Sequence, residues 1–182
     1  MSDIIERLED LFQRRGAEAY LGEPVTVAQH MLQCAALAQA EGAKDTLIAA
    51  ALLHDVGHLT EGEAGEYTPE DKVDKRHDQA GAKALESHFP AAVVEPVRLH
   101  VAAKRYLCAI DPTYYGRLSV ASKHSLALQG GPMNQAEIAA FEAVDFHQDA
   151  VRVRRWDDAG KVTDLRTPTF EDLLPLLRRV MQ

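Results

Sequence analysis

Apolar residues recur at intervals of three and four along most of the chain, and runs that alternate strictly between apolar and polar are almost absent. That periodicity predicts helices throughout and an all-α fold. "DIIERLEDLFQRR" sets Ile4, Ile5, Leu8, Leu11 and Phe12 on one helical stripe and stops at Gly16. A loop, "AEAYLGEP", follows. Thr26 with Gln29 three residues on is a capping-box pair, which opens a helix through His30, Leu32 and Leu37 to Gly42. Asp45 is placed to cap the next helix, expected to end near Gly57. "TEGEAGEYTPEDKVD" is acidic, carries Gly and one Pro, and reads as a solvated loop or a mobile lid. Further helices are expected over "KRHDQAGAKALESHF", "EPVRLHVAAKRYLCAI", "SVASKHSLALQ", "QAEIAAFEAVDFHQDAVRVRRW" and "FEDLLPLLRRVM". Asn134 with Glu137 repeats the capping pair, and Thr169 caps the last helix. No linker, repeat or low-complexity tract divides residues 1–182, so a single domain is expected.

Composition narrows the partners. The 182 residues are 46% hydrophobic with a formal net charge of -8. Nucleic acid and anionic lipid would meet repulsion rather than counterion release, so neither is expected as a partner. "MSDIIERLED" lacks the basic start and apolar core of a signal peptide, and no apolar run approaches bilayer length. A cytoplasmic protein with no membrane contact is expected. Cys34 and Cys108 sit inside helical patterns without CxxC spacing, which reads as reduced core residues rather than a disulfide or a zinc site.

One stretch breaks the apolar logic. "ALLHDVGHL", residues 51–59, runs from predicted core straight into His54, Asp55 and His58. Desolvating a carboxylate beside two imidazoles costs several kcal/mol unless a partner offsets the loss. A metal ion is the obvious partner. His54 and His58 are four apart and belong on one helical face, with Asp55 beside them. His30 sits mid-helix among apolar residues, His77 and His100 lie near or within helices after the acidic loop, and Asp157 ends a helix in "RRWDD". An imidazole and carboxylate set without thiolate favours iron, manganese, zinc or nickel over an iron–sulfur cluster. His88, His124 and His147 fall outside the set and read as surface or boundary residues.

The order His30, then His54-Asp55, then Asp157 resembles the HD-domain pattern H…HD…D, and the added His77 and His100 resemble its dinuclear branch. The resemblance implies a compact helical bundle with the metals between helices. One metal would take His30, His54, Asp55 and Asp157, the other Asp55, His77 and His100, with Asp55 bridging. A shared anion makes sense there, because two cations about 3.5–4 Å apart repel strongly. Open positions on the second metal would suit a chelating substrate or oxygen.

Most HD-domain proteins are phosphohydrolases, and an enzyme acting on a nucleotide or small phosphomonoester is the alternative. A non-catalytic metal-binding module is a third, weaker reading, because the implied ligand set leaves coordination positions open. More of this chain resembles the mixed-valent di-iron oxygenases of the superfamily, the group of phosphonate oxygenases such as PhnZ and, more distantly, myo-inositol oxygenase. "YLGEPVTVAQH" carries Tyr20 and Glu23, and a ring with a carboxylate suits an ammonium group; the same pair equally suits a core-capping ring and a surface acid. The resemblance makes Tyr20 a gate over one iron. Lys104, four after His100, belongs on the same helix face, where it matches a phosphonate dianion or simply extends over apolar residues. Ser122 and Ser125 in "SVASKHSLALQGGPM" share a face and can donate to phosphonate oxygens, or make a small-residue helix contact. His58, not needed as a ligand, is assigned to phosphonate binding or ligand orientation. Tyr67, Tyr114 and Tyr115 are candidates for further pocket walls.

The resemblance thus implies an Fe(II)/Fe(III) pair and cleavage of the C–P bond of a 1-hydroxy-2-(amino or trimethylammonio)ethylphosphonate by O2. The products are phosphate and glycine or glycine betaine. The substrate's hydroxyl and a phosphonate oxygen would chelate the iron of His77 and His100, and hydrogen would leave C1. The substrate supplies all four electrons, so no nicotinamide or flavin site is required, and no Gly-rich phosphate cradle is found.

Overall fold

The computed structural model describes residues 4–20, 22–60 and 72–182. Among them run α1 (Ile4–Arg15), α2 (Val27–Ala40), α3 (Asp45–Leu53), α4 (Val56–Leu59), α5 (His77–Leu85), α6 (Ala91–Ile110), α7 (Tyr114–Arg117), α8 (Val120–Leu128), α9 (Gln135–Glu142), α10 (His147–Ala159) and α11 (Phe170–Val180). No strand is formed among the described residues, only an isolated bridge between Ala19 and Thr26. The all-α expectation holds. The acidic loop lies largely outside the described residues, and Tyr67 with it.

Helix α3 is the centre of the bundle. Every residue from Leu47 to Leu53 is buried, as a helix apolar on all sides must be. It is enclosed by α2, α6, α10 and α11. Helix α1 buries its predicted stripe of Ile4, Ile5, Leu8, Leu11 and Phe12, and the Phe12 ring packs 4.3 Å from that of Phe170 on α11. Full capping boxes at Thr26, Asn134 and Thr169 start α2, α9 and α11 as the sequence predicts.

Three boundaries differ from expectation, and two of them shape the site. The helix from Asp45 ends at Leu53, not near Gly57, and Asp45 lies in its first turn after Lys44 rather than capping it. The chain bends at His54 and Asp55 and re-enters as the short α4. The continuous helix expected over 135–156 is two helices, because Phe146 adopts the left-handed conformation (φ 65°). Side-chain periodicity carries no trace of a single reversed residue. The third difference is α6, which begins at Ala91, a turn before the expected Glu95-Pro96. Pro90 precedes it, and burial of Val93 and Val94 extends the helix ahead of Pro96.

Candidate metal centre

Five helical elements deliver the histidine and aspartate side chains to one point. His30 comes from α2, His54 and Asp55 from the bend after α3, His77 from the first position of α5, His100 from the middle of α6, and Asp157 from the last turn of α10. All six are at most 6% exposed. Arg76, left-handed at φ 53°, turns the chain into α5 immediately before His77.

The two oxygens of Asp55 face different ways. Oδ2 lies 3.5 Å from His30 Nε2 and 3.4 Å from His54 Nε2. Oδ1 lies 3.4 Å from His77 Nε2 and 3.5 Å from His100 Nε2. Asp157 completes the first side, with Oδ1 3.4 Å from His30 Nε2 and Oδ2 3.9 Å from His54 Nε2.

Hydrogen bonds behind the rings show what these atoms present. His30 Nδ1 meets the Gly160 carbonyl at 2.8 Å, His54 Nδ1 the Ala51 carbonyl at 2.9 Å, and His100 Nδ1 the Val97 carbonyl at 2.7 Å. A carbonyl only accepts, so each Nδ1 donates and each Nε2 keeps a lone pair. Yet His30 and His54 Nε2 are 3.2 Å apart, with lone pairs that repel unless a cation lies between them. His77 and His100 Nε2 are 3.0 Å apart. Two ligands at right angles around an ion with bonds of about 2.1 Å sit about 3 Å apart. Burial pushes His54 down to about 4 and His77 down to about 3, so both rings are neutral at pH 7. Burial would raise Asp55, but His54 and His58 hold it well below the usual carboxylate range. Asp157 Oδ1, buried, accepts no hydrogen bond from the described residues. Burial would lower His30 and His100 as well, but Cys34 and Asp157 beside His30 and Asp55 beside His100 raise them instead, so the cluster draws positive charge to itself. Four imidazoles, two ionised carboxylates and this orphaned oxygen fit two metal ions, one on each side of Asp55.

A cleft opens on the second side, lined by His58, Lys104, Ser122, Ser125, Tyr20 and Glu23, among others. Tyr20 Oη donates to Asp55 Oδ2 at 2.8 Å and its ring stacks on His30 at 4.3 Å, over the first side of the centre. Lys104 Nζ donates to Ser125 Oγ at 2.8 Å. His54 and His58 do not share a helix face as their spacing predicts, because the bend at Asp55 separates them. His54 faces Oδ2, whereas His58 stacks on His77 at 4.1 Å with its Nε2 3.8 Å from Oδ1. Asp55, His58 and His77 offer ligand atoms within 4.8 Å of one another, so His58 reaches the second cation position as well as the cleft.

The model of the HD domain family matches residues 27–129 of this chain. The chain belongs to the HD-domain family. It is 48% identical over 179 residues to 1-hydroxy-2-(trimethylamino)ethylphosphonate dioxygenase (glycine-betaine-forming) of Leisingera caerulea, covering 98% of this chain and 91% of that protein. It is 44% identical over 169 residues to hydroxymethylphosphonate dioxygenase of Gimesia maris, covering 92% and 84%. An uncharacterized protein, L432, of Acanthamoeba polyphaga mimivirus is 32% identical over 166 residues, covering 89% and 76%.

Three cleft residues of this HD domain escaped sequence reasoning. Arg154 is buried, ion-paired to Asp157 and Asp158, and reaches Ser122 Oγ at 3.4 Å. Its position three before Asp157 on one helix was the available signal. Lys161 lies 3.1 Å from Glu23 Oε1 and 3.4 Å from Ser122 Oγ; it follows Gly160, and no periodicity marks it. His124, set aside as a surface or boundary residue, lines the cleft, and its enclosed Nε2 makes no hydrogen bond to the described residues. Its ring is turned inward by the same helix that presents the two serines. Neither Tyr114 nor Tyr115 is a wall: Tyr114 Oη donates to Asp158 and accepts from Arg154 Nε, and Tyr115 is half exposed. Cys34 is buried behind His30 and Cys108 is half-buried, both as free thiols. No described helix is long and apolar enough to cross a membrane.

Lys104 shows that the HD domain sacrifices stability at this cleft. Burial, with Arg154 nearby, pushes its ammonium down to about 7. The group is lowered on folding, so the penalty for a charged Lys104 is full below pH 7 and fades as pH rises towards the ordinary lysine value. Lys104→Met is therefore expected to stabilise the metal-free protein at pH 6 by about 1 kcal/mol or more. Thermal unfolding at pH 6 and pH 9 checks it, and a loss of stability at pH 6 sinks the assignment.

Proposed function

We propose that this protein is an oxygenase that holds an Fe(II)/Fe(III) pair. It would cleave the C–P bond of a 1-hydroxy-2-(amino or trimethylammonio)ethylphosphonate, releasing phosphate and glycine or glycine betaine. The observation that carries the reading is Asp55 split between two histidine pairs, with a cationic, hydroxyl-lined cleft on one side. The names of the two dioxygenase relatives favour it over a phosphohydrolase. Residues 1–182 act as one HD domain in this reading, since Asp157 lies beyond the matched stretch and yet completes the first side.

His30, His54, Asp55 and Asp157 would hold one iron, and Asp55, His77 and His100 the other. When bound, the pair supplies Lewis acidity towards the substrate's hydroxyl and the redox capacity to use dioxygen. The chain's own residues orient the substrate. Lys104, His58, Ser122 and Ser125 take the phosphonate, with charge-assisted hydrogen bonds from the ammonium and neutral ones from the hydroxyls. Tyr20 and Glu23 take the amine end. The reaction balances without a further reductant: the C–H and C–P bonds yield four electrons to dioxygen, whose atoms end in the carboxylate and the phosphate. Cytoplasmic placement goes with this small-molecule reading.

Low-temperature EPR of the partially reduced, iron-loaded protein tests it. A coupled signal perturbed by the hydroxyphosphonate, with phosphate released only when O2 is present, is expected. No such signal, together with ester hydrolysis under nitrogen, would transfer the assignment to a phosphohydrolase.

Glu23→Ala is expected to raise KM for a cationic substrate about tenfold and to leave kcat within about twofold, as loss of binding at a distal group does. Steady-state kinetics with the trimethylammonio and hydroxymethyl phosphonates reads it. An unchanged KM for the cationic substrate would separate this loop from recognition.

A further inference from the structure

The amine-binding residues of the cleft already hold a cation, and it belongs to the chain. Lys161 Nζ is 3.1 Å from Glu23 Oε1 and 5.6 Å from the centroid of the Tyr20 ring. Those are the two contacts, ion pair and cation–π, that a substrate ammonium would make with the same residues. Both side chains of the pair are enclosed, at 11% and 8% exposure, so water screens the contact little. A substrate ammonium seated on Glu23 and over the Tyr20 ring would take the position that Lys161 Nζ holds.

The neighbours leave Lys161 little alternative. Arg154 and Lys104 line the same space; of its other acids, Asp157 is ion-paired to Arg154 and Asp55 accepts from Tyr20 Oη. Among the described residues, Ser122 Oγ, at 3.4 Å, is the other hydrogen-bond partner of Lys161 Nζ. Glu23 is thus the carboxylate that the pair leaves neutralised.

We propose that Lys161 is a specificity-determining residue. Its ammonium fills the subsite for the substrate's cationic end, and it must release Glu23 before that end can bind. This rests on the oxygenase reading above. A phosphonate without a cationic end, such as hydroxymethylphosphonate, leaves the Glu23–Lys161 pair in place and encounters no competition. Lys161 therefore narrows the preference between cationic and uncharged substrates.

The test is the ratio of kcat/KM for 1-hydroxy-2-(trimethylammonio)ethylphosphonate to that for hydroxymethylphosphonate, in which shared phosphonate contacts cancel. Lys161→Met is expected to raise that ratio roughly tenfold, the size of one charge-assisted hydrogen bond freed from competition. In a Glu23→Gln background the same substitution should leave the ratio unchanged. A ratio that stays the same or falls in Lys161→Met, with thermal unfolding confirming a folded protein, overturns the proposal. Calorimetric binding of both phosphonates to the metal-loaded protein under nitrogen reads the same ratio without turnover. If binding responds to Lys161→Met but no phosphate is ever released, the placeholder stands and the oxygenase reading falls. If phosphate is released and neither ratio responds, the reverse holds.

Discussion

Asp55→Ala is expected to abolish dinuclear metal occupancy. Each oxygen of Asp55 serves one histidine pair, at 3.4 to 3.5 Å from all four Nε2 atoms. Without it the second side keeps only neutral imidazoles around a dication, and two cations face each other with no anion between them. Loss of a partner that merely orients a ligand already costs about 10–100-fold in metal affinity, so loss of the shared ligand should exceed a hundredfold on the second side. If the centre holds the proposed iron pair, iron content by atomic absorption should fall from two per chain to one or none, with turnover lost. Asp55→Asn separates charge from shape. Its amide has one acceptor oxygen, so it can serve one side and turns a donor towards the other. One iron per chain and no turnover is the expected result. Two irons and full activity in either variant would remove Asp55 as the bridge.

The chemistry of the centre was legible in the sequence because it is written as exceptions to an apolar pattern. His30, His54, Asp55 and His100 interrupt helices that otherwise read as core, and they are buried within 1% exposure. Burial of such groups requires a partner, and the partner requires convergence. Where the groups point was less legible. The four-residue spacing of His54 and His58 implies one face, yet the bend at Asp55 sends them to opposite oxygens of that carboxylate. The reversal at Phe146 likewise starts α10 anew and decides where Arg154 and Asp157 arrive. Both events are changes in one or two backbone torsions, which side-chain periodicity does not record. Lys161 was invisible for a different reason. Its partner Glu23 is 138 residues away, and a contact at that separation leaves no local pattern. The cleft is therefore the part of the site built by tertiary packing, whereas the buried histidine and aspartate cluster is the part announced by local conflict.

Gly57→Ala is expected to lose one metal and much of the stability together. A Cβ at Gly57 would lie 2.0 Å from the carbonyl oxygen of His77, 2.8 Å from its carbonyl carbon and 3.0 Å from Gly81 N. All three are backbone atoms, so no side chain can rotate away and α4 must separate from α5. That separation carries His77 with it, because His77 is the first residue of α5. Overpacking costs about 1–3 kcal/mol, and a clash against backbone belongs at the upper end. At about 2–4 °C per kcal/mol for a chain of this size, Tm should fall by roughly 5–10 °C. Metal content should distinguish the two sides. His30, His54 and Asp157 stand on α2, the bend after α3, and α10, none of which moves with α5, so one of the two proposed metals should remain. Gly81→Ala is the matched control: its Cβ would meet Gly57 N at 3.2 Å and Val56 Cγ1 at 3.3 Å, contacts that give by a few tenths of an ångström. It should retain two irons with a smaller drop in Tm. A Gly57→Ala protein with two irons and an unchanged Tm would show that the approach of α4 to α5 does not place His77, and the second side of the centre would need another geometric basis.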